Sequence, residues 1–303
     1  MTVFSLTPEF QMPFPLANRT RNHSVAAGAA ALVIALAGCT AAPPPAPDTT
    51  GHAEGGLPSA HVHGLAVSGE SSKVLLATHE GLFDVTGGHA VKIGGTNDLM
   101  GFTPGASEGE FYASGHPGPG SDLPNPLGLV RTSDGGKTWE QLSRQGESDF
   151  HALTATKSGI VAFDGTLRTS TDGRTWNTVA AAFAPAALAG HPDSDTVLAT
   201  TPEGIQRSAD AGATWSPVAN GPVIQYATFA SPAEAAGVEP DGTVHYSSDA
   251  GMTWTRKGRI DAQVMAIASV KGQDGRPWLW AATPDGVIVS TDGGMTFRPS
   301  AAE

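Results

Sequence analysis

The chain has 303 residues, of which 15 % are charged and 40 % hydrophobic, and its formal net charge is −12. This composition is typical of a globular protein rather than a disordered one, and the 38 glycines and 23 prolines indicate many turns. Non-specific nucleic-acid binding requires clustered Lys and Arg. Because the chain is acidic and has no basic stripe, we expect no nucleic-acid partner.

Residues 1–39 are typical of a lipoprotein signal peptide. Basic residues precede an apolar run at 25–37 that is too short to span a bilayer comfortably. The run ends in "LAGC", which resembles the bacterial lipobox, whose cysteine is lipidated and becomes the first mature residue. Cys39 is the only cysteine, so no intramolecular disulfide competes for it. We therefore expect an extracytoplasmic protein, lipid-anchored to the bacterial cell membrane through Cys39; a plain secretory signal is the alternative, and Met12 is an alternative start.

Residues 40–60 are rich in Pro, Ala and Gly and have no periodic apolar pattern. Such a segment is typical of a disordered tether. We expect it to hold a folded domain at 61–300 away from the membrane.

A short motif recurs through this domain. "TSDGGKTW" at 132–139 returns as "SADAGATW", "SSDAGMTW" and "STDGGMTF", and a shortened copy, "STDGRTW", begins at Ser170. The closing aromatics recur at intervals of about 40 residues, which indicates propeller blades or a similar array. They are Trp139, Trp176, Trp215, Trp254 and Phe297.

The chemistry of the motif predicts a tight turn between two strands. Its aspartate can accept backbone N–H groups, its glycine permits positive φ, and its aromatic side chain can pack between neighbouring units. The motif resembles the Asp-box, or bacterial neuraminidase repeat, apart from Phe297 and the residue missing after Ser170. The resemblance implies a fold and not a reaction, because Asp-boxes also occur in propellers without enzymatic activity.

Reading backwards from each copy gives four short strands per unit. We therefore predict an all-β chain, a six-bladed β-propeller with four-stranded blades and Asp-box turns, in which the first blade has lost the motif. Six innermost strands are predicted at 61–67, 98–103, 149–155, 185–190, 224–230 and 263–269.

Because the strands of a blade alternate in direction, polar residues can be assigned to one of the two propeller faces. The start of each innermost strand and the second-to-third turns share a face, opposite the motif turns. That face is predicted to hold His61, His63, His79, Asp98, His116, Asp149 and His151 around the channel. One inward column reads His63, Met100, His151, Ala186, Tyr226 and Met265. By contrast, His89, His191 and His245 are predicted to be ordinary surface residues.

One loop on the polar face breaks the repeat. Where other blades use four residues, the second has "GHPGPGSDLPNPLG" at 115–128, stiffened by its prolines. A long insertion on a short-looped scaffold is usually functional. We expect its polar residues to contribute to a ligand site over the channel; they are His116, Ser121, Asp122 and Asn125.

The segments "HVHGL", "SGHPGPGSDLPNPLGLV" and "GESDFH" resemble secreted bacterial propeller lipoproteins classed as glycosyl hydrolases by similarity to sialidases. The resemblance implies a catalytic site with an Arg triad, a Tyr nucleophile paired with Glu, and an Asp acid/base. The Phe/Tyr-Arg-Ile-Pro motif of sialidases is absent, and only Arg144, Arg256 and Arg259 are predicted near the polar mouth. A two-carboxylate mechanism remains open; the catalytic candidates are Asp149, Tyr226, Glu80, Glu203 and Glu239.

A metal site is a second alternative. The imidazoles of His61, His63, His79, His116 and His151 suit zinc and copper, and thioethers from Met100 and Met265 would favour copper. Asp149 could orient an imidazole. The opposing interpretation is that the histidines bind water and each other while the methionines fill space.

The third interpretation is a non-catalytic module. A tethered propeller with one polar mouth suits binding of a glycan, a peptide or a surface protein. The aromatic candidates at this mouth are Tyr226 and Phe150. We expect a monomer that meets the membrane only through its lipid.

Overall fold

The structure is a computed structural model that describes residues 57–58, 61–68 and 73–301. The predicted signal peptide, Cys39 and all but two residues of the predicted tether lie outside the described residues. In the part that is described, no helix has the length and apolar character needed to cross a membrane. The described secondary structure consists of strands β1–β24.

The first three blades take up residues 62–178. Their strands are β1 Val62–Val67, β2 Val74–Thr78, β3 Gly81–Asp84, β4 Val91–Ile93; β5 Asp98–Pro104, β6 Phe111–His116, β7 Leu129–Thr132, β8 Glu140–Ser143; β9 Ala152–Thr156, β10 Gly159–Phe163, β11 Leu167–Ser170, β12 Asn177–Thr178.

The last three blades take up residues 187–299. Their strands are β13 Ala187–Gly190, β14 Val197–Thr201, β15 Gly204–Ser208, β16 Ser216–Pro217; β17 Tyr226–Phe229, β18 Ala235–Val238, β19 Thr243–Ser247, β20 Thr255–Arg259; β21 Ala266–Lys271, β22 Pro277–Thr283, β23 Gly286–Ser290, β24 Arg298–Pro299.

Each blade is one four-stranded antiparallel sheet built from consecutive strands. The first strand of every blade contacts the first strand of the next, and β1 contacts both β5 and β21, so the six sheets close into a ring. No strand is exchanged between blades in the described residues. The prediction of a six-bladed, four-stranded, all-β propeller is therefore confirmed.

The core consists of six apolar clusters, one between each pair of neighbouring blades. Between the fourth and fifth blades, for example, Leu198 and Ile205 pack against Ile224 and Phe229, with Trp254 partly buried beside them. Second strands such as β2 and β14 are buried along their whole length, because a neighbouring blade covers each of their faces. This explains their continuous runs of small and apolar residues.

We call the turns around Asp134, Asp172, Asp210, Asp249 and Asp292 the repeat turns. In the fourth of them, Asp249 Oδ1 accepts the Thr253 N–H at 2.8 Å and the Ser247 hydroxyl at 2.8 Å, and Oδ2 accepts the Thr253 hydroxyl at 2.6 Å. Gly251 has φ 82°, and an added Cβ there would lie 2.6 Å from Leu198 of the preceding blade. The turn therefore satisfies its own polar groups while it packs against its neighbour.

The shortened copy folds differently in detail. Asp172 Oδ1 accepts the N–H groups of Arg174 and Thr175, two and three residues on, instead of a group four residues on. Trp176 then donates its indole N–H to Ser143 of the preceding blade at 2.8 Å, whereas Trp254 donates to Gly251 in its own turn. The indole of the shortened copy is therefore bonded to the preceding blade instead of to its own turn.

Candidate functional site

Two β-bulges place side chains at the channel mouth. The pairing of β1 with β2 shifts between Val62 and Gly64, and that of β5 with β6 shifts between Leu99 and Gly101. The skipped residues are His63 and Met100, which occupy equivalent positions in the first two blades. An extra residue in one strand re-aims its side chain. The bulges therefore lie in the two strands that contribute His63 and Met100 to the predicted polar face.

The first cluster consists of His61, His63 and His79, with Asp98 beside them. One ligand nitrogen from each histidine lies within 4.8 Å of the others. The ring centroids of His61 and His63 are 4.9 Å apart, and those of His63 and His79 are 4.3 Å apart. The backbone N–H of His79 donates to the His61 carbonyl, so the three side chains project from the paired ends of β1 and β2.

Asp98 begins β5 in the next blade and reaches back to this cluster. Its Oδ2 lies 2.8 Å from His79 Nδ1, and its Oδ1 lies 3.6 Å from His63 Nε2. The longer distance exceeds that of a hydrogen bond, and Oδ1 is buried with no hydrogen-bond partner. The carboxylate therefore has one satisfied oxygen and one that is not.

His63 is the buried member, with a side chain only 10 % exposed. Burial, followed by the neighbouring His79, lowers the pKa of His63 to about 4, and Asp98 offsets only part of this effect. His63 is therefore neutral at pH 7, which is the form in which imidazole binds a metal.

The second cluster consists of His116, Asp149 and His151. Asp149 Oδ2 lies 3.1 Å from His116 Nε2 and 2.7 Å from His151 Nε2. Asn125 Oδ1 accepts from His116 Nδ1 at 2.7 Å. Asp149 Oδ1 is buried without a hydrogen-bond partner, like its counterpart in Asp98. We call the two clusters together the histidine rim; the structure thus brings the five predicted histidines into two groups.

The insertion at 115–128 contributes to the rim through two of its residues. His116 and Asn125 contact each other, and Leu127 anchors the end of the loop in the core between the first two blades. Ser121 and Asp122 are exposed, and the Ser121 hydroxyl accepts the Leu123 N–H within the loop. The prediction that all four polar residues form one ligand site stays untested.

The predicted catalytic carboxylates occupy different surroundings. Asp149 contacts two imidazoles, Glu80 and Glu203 are exposed in second-to-third turns, and Glu239 lies 3.4 Å from His245. Tyr226 lines the channel and is half-buried, and burial raises the pKa of its phenol.

The predicted sulfur ligands differ from the histidines in their surroundings. Met265 is half-buried and packs against the apolar cluster between the first and last blades. Met100 is half-buried in its bulge.

The channel itself contains a cavity of about 470 Å³ that extends away from the histidine rim. His63 lines one part of it, and Ser68, His191 and Lys271, at or beyond the far ends of innermost strands, line another. The prediction for His191 as an ordinary surface residue is wrong: its side chain is 20 % exposed, and burial lowers its pKa. Its position after the short strand β13 turns it into the channel.

Two further predictions are wrong. His245 lies on β19 with a side chain only 13 % exposed, paired with Glu239, whereas His89 is exposed as predicted. Phe150 is fully buried and packs on Trp176, because its backbone N–H donates to the Ser114 hydroxyl of the second blade and its ring enters the cluster between the second and third blades. Phe150 therefore offers no exposed aromatic surface to a ligand.

The predicted arginines have structural partners or an outer position. Arg144 lies 3.4 Å from Glu147 and 3.8 Å from Asp164. Arg259 lies 3.3 Å from Asp241, and Arg256 is exposed on the outermost strand β20. These positions give no support to a cluster of arginines that would bind a substrate carboxylate.

No protein-family model and no curated protein matches the chain, so the Asp-box and sialidase-like assignments stay predictions. Among solved structures, a GH74 enzyme from Niastella koreensis is similar with a TM-score of 0.56 and 15 % identity over 79 % of this chain, which spans only 37 % of that one. Virginiamycin B lyase from Staphylococcus aureus is similar with a TM-score of 0.52 and 14 % identity over 80 % of this chain and 86 % of that one.

The WD40 repeats of RRP9 give a TM-score of 0.52 and 10 % identity over 80 % of each chain. At these identities the likeness concerns the fold alone. That fold is shared by enzymes and binding proteins, so the function has to be argued from the site.

Proposed function

We propose that this protein is an extracytoplasmic, lipid-anchored metal-binding propeller that holds Zn²⁺ or Cu²⁺ at the first cluster. The observation that supports the proposal is the approach of three imidazole ligand nitrogens to within 4.8 Å of one another. Imidazole is a preferred ligand of both ions, and three histidines with an open fourth position form a common zinc arrangement.

The distances within the cluster suit a shared ion. Two ligand atoms that lie about 2.0–2.2 Å from a tetrahedral ion are about 3.3–3.6 Å apart. His63 Nε2 lies 3.3 Å from His79 Nδ1 and 3.6 Å from Asp98 Oδ1. An ion at this point would replace the proton on His79 and would give the buried Asp98 Oδ1 the partner that it lacks.

The alternatives have no comparable support. Binding of a glycan, a peptide or a surface protein at the histidine rim stays a prediction, and so does hydrolysis with Asp149. In the described residues Asp149 pairs with imidazoles, and no contact joins it to the predicted glutamates.

The experiment is a metal-retention measurement on the full chain, purified without a tag and with Cys39 alkylated so that its thiol cannot bind metal. After incubation with Zn²⁺ or Cu²⁺ and desalting, elemental analysis should find retained metal. His61→Ala with His79→Ala should remove about one ion per chain. The exposed His89→Ala is the matched control and should retain the full amount. Equal retention by the double variant and the control would overturn the proposal.

A further inference from the structure

We infer that the insertion at 115–128 positions Asp98 beside the first cluster, and that Gly118 and Asn97 are therefore positioning residues of the metal site. The inference rests on the proposed function, since it names residues that act on the affinity of that same site. It gives the long loop of the second blade a role that does not require contact with a ligand over the channel.

The contact between the insertion and the connector that leads into β5 is the first observation. Gly118 of the insertion donates its N–H to Asn97 Oδ1 at 3.2 Å. A Cβ added to Gly118 would lie only 1.5 Å from the Thr96 carbonyl oxygen. The two backbones therefore meet at a distance that only glycine allows, one and two residues before Asp98.

The base of the insertion contacts Asp98 itself. Gly115 has φ 140°, and an added Cβ would lie 2.0 Å from the Asp98 carbonyl oxygen. The next residue, His116, is the partner of Asp98 in the pairing of β5 with β6. Together with Gly118, these residues bring the insertion against three consecutive positions of the chain, 96–98.

The insertion is itself held by the packed part of the second blade. Leu127 is 1 % exposed in the cluster between the first two blades, and its N–H donates to the Gly115 carbonyl at 2.8 Å. The Gly146 N–H donates to the Pro126 carbonyl at 2.8 Å. Because the end of the loop is fixed in this way, the loop can fix the connector that it contacts.

The first blade approaches the connector from its own turn. A Cβ added to Gly81, two residues after His79, would lie 2.8 Å from the Gly95 carbonyl oxygen. Close backbone contacts from two blades thus hold the segment that ends in Asp98. Its carboxylate lies 2.8 Å from His79 Nδ1 and 3.6 Å from His63 Nε2.

The position of this carboxylate matters because binding sites tolerate displacements of only about 0.5 Å. A side chain added at Gly118 has to displace the Thr96 carbonyl or the insertion, and a displaced connector carries Asp98 with it. Loss of a group that orients a metal site typically weakens metal binding about 10–100-fold. The insertion therefore acts on the affinity of the first cluster through Asp98.

The test is a zinc competition titration of the alkylated, tag-free full chain against a chromophoric chelator. Gly118→Ala should weaken zinc binding about tenfold, and Asn97→Ala, which removes only the acceptor, should weaken it about threefold. Asn97→Asp keeps an oxygen acceptor and should bind at least as tightly as the unaltered chain. Gly95→Ala is the matched control, because it lies in the same connector and its added Cβ would meet nothing within 4 Å.

A second measurement separates positioning of Asp98 from a general effect on the fold. In a chain that already carries Asp98→Asn, Gly118→Ala should change the zinc affinity by less than about twofold, since the carboxylate that it displaces is gone. A merely structural role would give the same loss in both chains. If Gly118→Ala fails to fold, Asn97→Ala takes its place in both measurements, with no change expected in the Asp98→Asn chain.

The outcomes separate this inference from the proposed function. If the unaltered chain binds zinc and the variants at Gly118 and Asn97 bind it as tightly as Gly95→Ala does, the inference is overturned and the proposed function stands. An equal loss with and without the Asp98 carboxylate also overturns the inference alone. If the unaltered chain binds no zinc, both are overturned.

Discussion

The repeat turns and the histidine rim lie on opposite faces of the propeller and treat their polar groups in opposite ways. In the turn at Asp249, both carboxylate oxygens have partners that lie within four residues along the chain. In the rim, Asp98 and Asp149 each keep one buried oxygen without a hydrogen-bond partner, and each contacts a histidine of the preceding blade. The carboxylate of the turn is satisfied within the turn, whereas each carboxylate of the rim has one oxygen that could still accept a ligand.

This difference separates stability from function in one fold. The turns and their aromatics join neighbouring blades, so substitutions there should lower the free energy of unfolding. The rim bears buried polar groups that cost free energy, which a protein retains where they serve binding. The predictions below test this separation, from the largest expected effect to the smallest.

Trp254→Ala should lower the stability of the fold and leave zinc binding at the histidine rim unchanged. The indole fills the cluster between the fourth and fifth blades and donates to the Gly251 carbonyl. Its loss should lower the free energy of unfolding by about 3 kcal/mol, at the low end for Trp→Ala because the ring is only partly buried. Denaturant unfolding measures this, and zinc stoichiometry of the folded variant should be unchanged. A parallel loss of zinc would show that the two faces are not independent.

Asp98→Asn should produce the reverse result. The carboxylate contacts His79 and lies 3.6 Å from His63, so its neutralisation should weaken zinc binding at the first cluster by about 10–100-fold. A competition titration against a chromophoric chelator gives the affinity. The metal-free variant should unfold at or above the denaturant concentration of the unaltered chain, because it no longer buries a charged oxygen without a partner. Unchanged affinity would contradict a role for Asp98 in metal binding.

Asp249→Asn should lower stability by about 1 kcal/mol, because an amide has only one oxygen to accept three bonds. Hydrogen bonds, first from the Thr253 hydroxyl, lower the pKa of Asp249 from 3.8 to about 2. The stabilisation by its carboxylate is therefore complete above about pH 3.8 and is lost as the pH falls through about 2. Acid unfolding of the variant should be correspondingly less steep than that of the unaltered chain. Identical acid transitions would show that this turn contributes nothing to acid sensitivity.

Met100→Leu and Met265→Leu should have the smallest effect. The volume is nearly conserved, so the free energy of unfolding should change by less than about 1.5 kcal/mol. Copper affinity should stay the same, since Met265 packs in an apolar cluster and the proposed ligands of the ion are the imidazoles of the first cluster. A clear loss of Cu⁺ binding in either variant would instead support the copper ligation by methionine sulfur that the sequence predicts.

The fold was predictable because its determinants are local. Each repeat turn forms its bonds within a few residues, so the motif can be recognised in the chain without knowledge of its partners. The interval between the closing aromatics then sets the blade size, and the number of innermost strands sets the number of blades. Local chemistry repeated at a constant interval was sufficient for the architecture.

The site was predictable only in part because its contacts are not local. His61 and His63 could be placed together, since they flank one residue of a strand. Which histidines lie near Asp98 and which lie near Asp149 depends on contacts between blades and on β-bulges. No residue pattern predicts either of these. His191 and Phe150 were misplaced because their burial depends on distant parts of the ring: His191 lines the channel cavity, and Phe150 packs in the cluster between the second and third blades.

The junction of the first and last blades closes the ring without a shared strand. Because each of these sheets is complete in itself, only side chains such as Phe83 and Trp280 close the circle there. The chain could therefore begin at a different blade without changing which blades are neighbours in the ring. A circularly permuted chain that begins at the connector before Asp98 would still contain six intact sheets, and its ends would lie at a different position around the histidine rim.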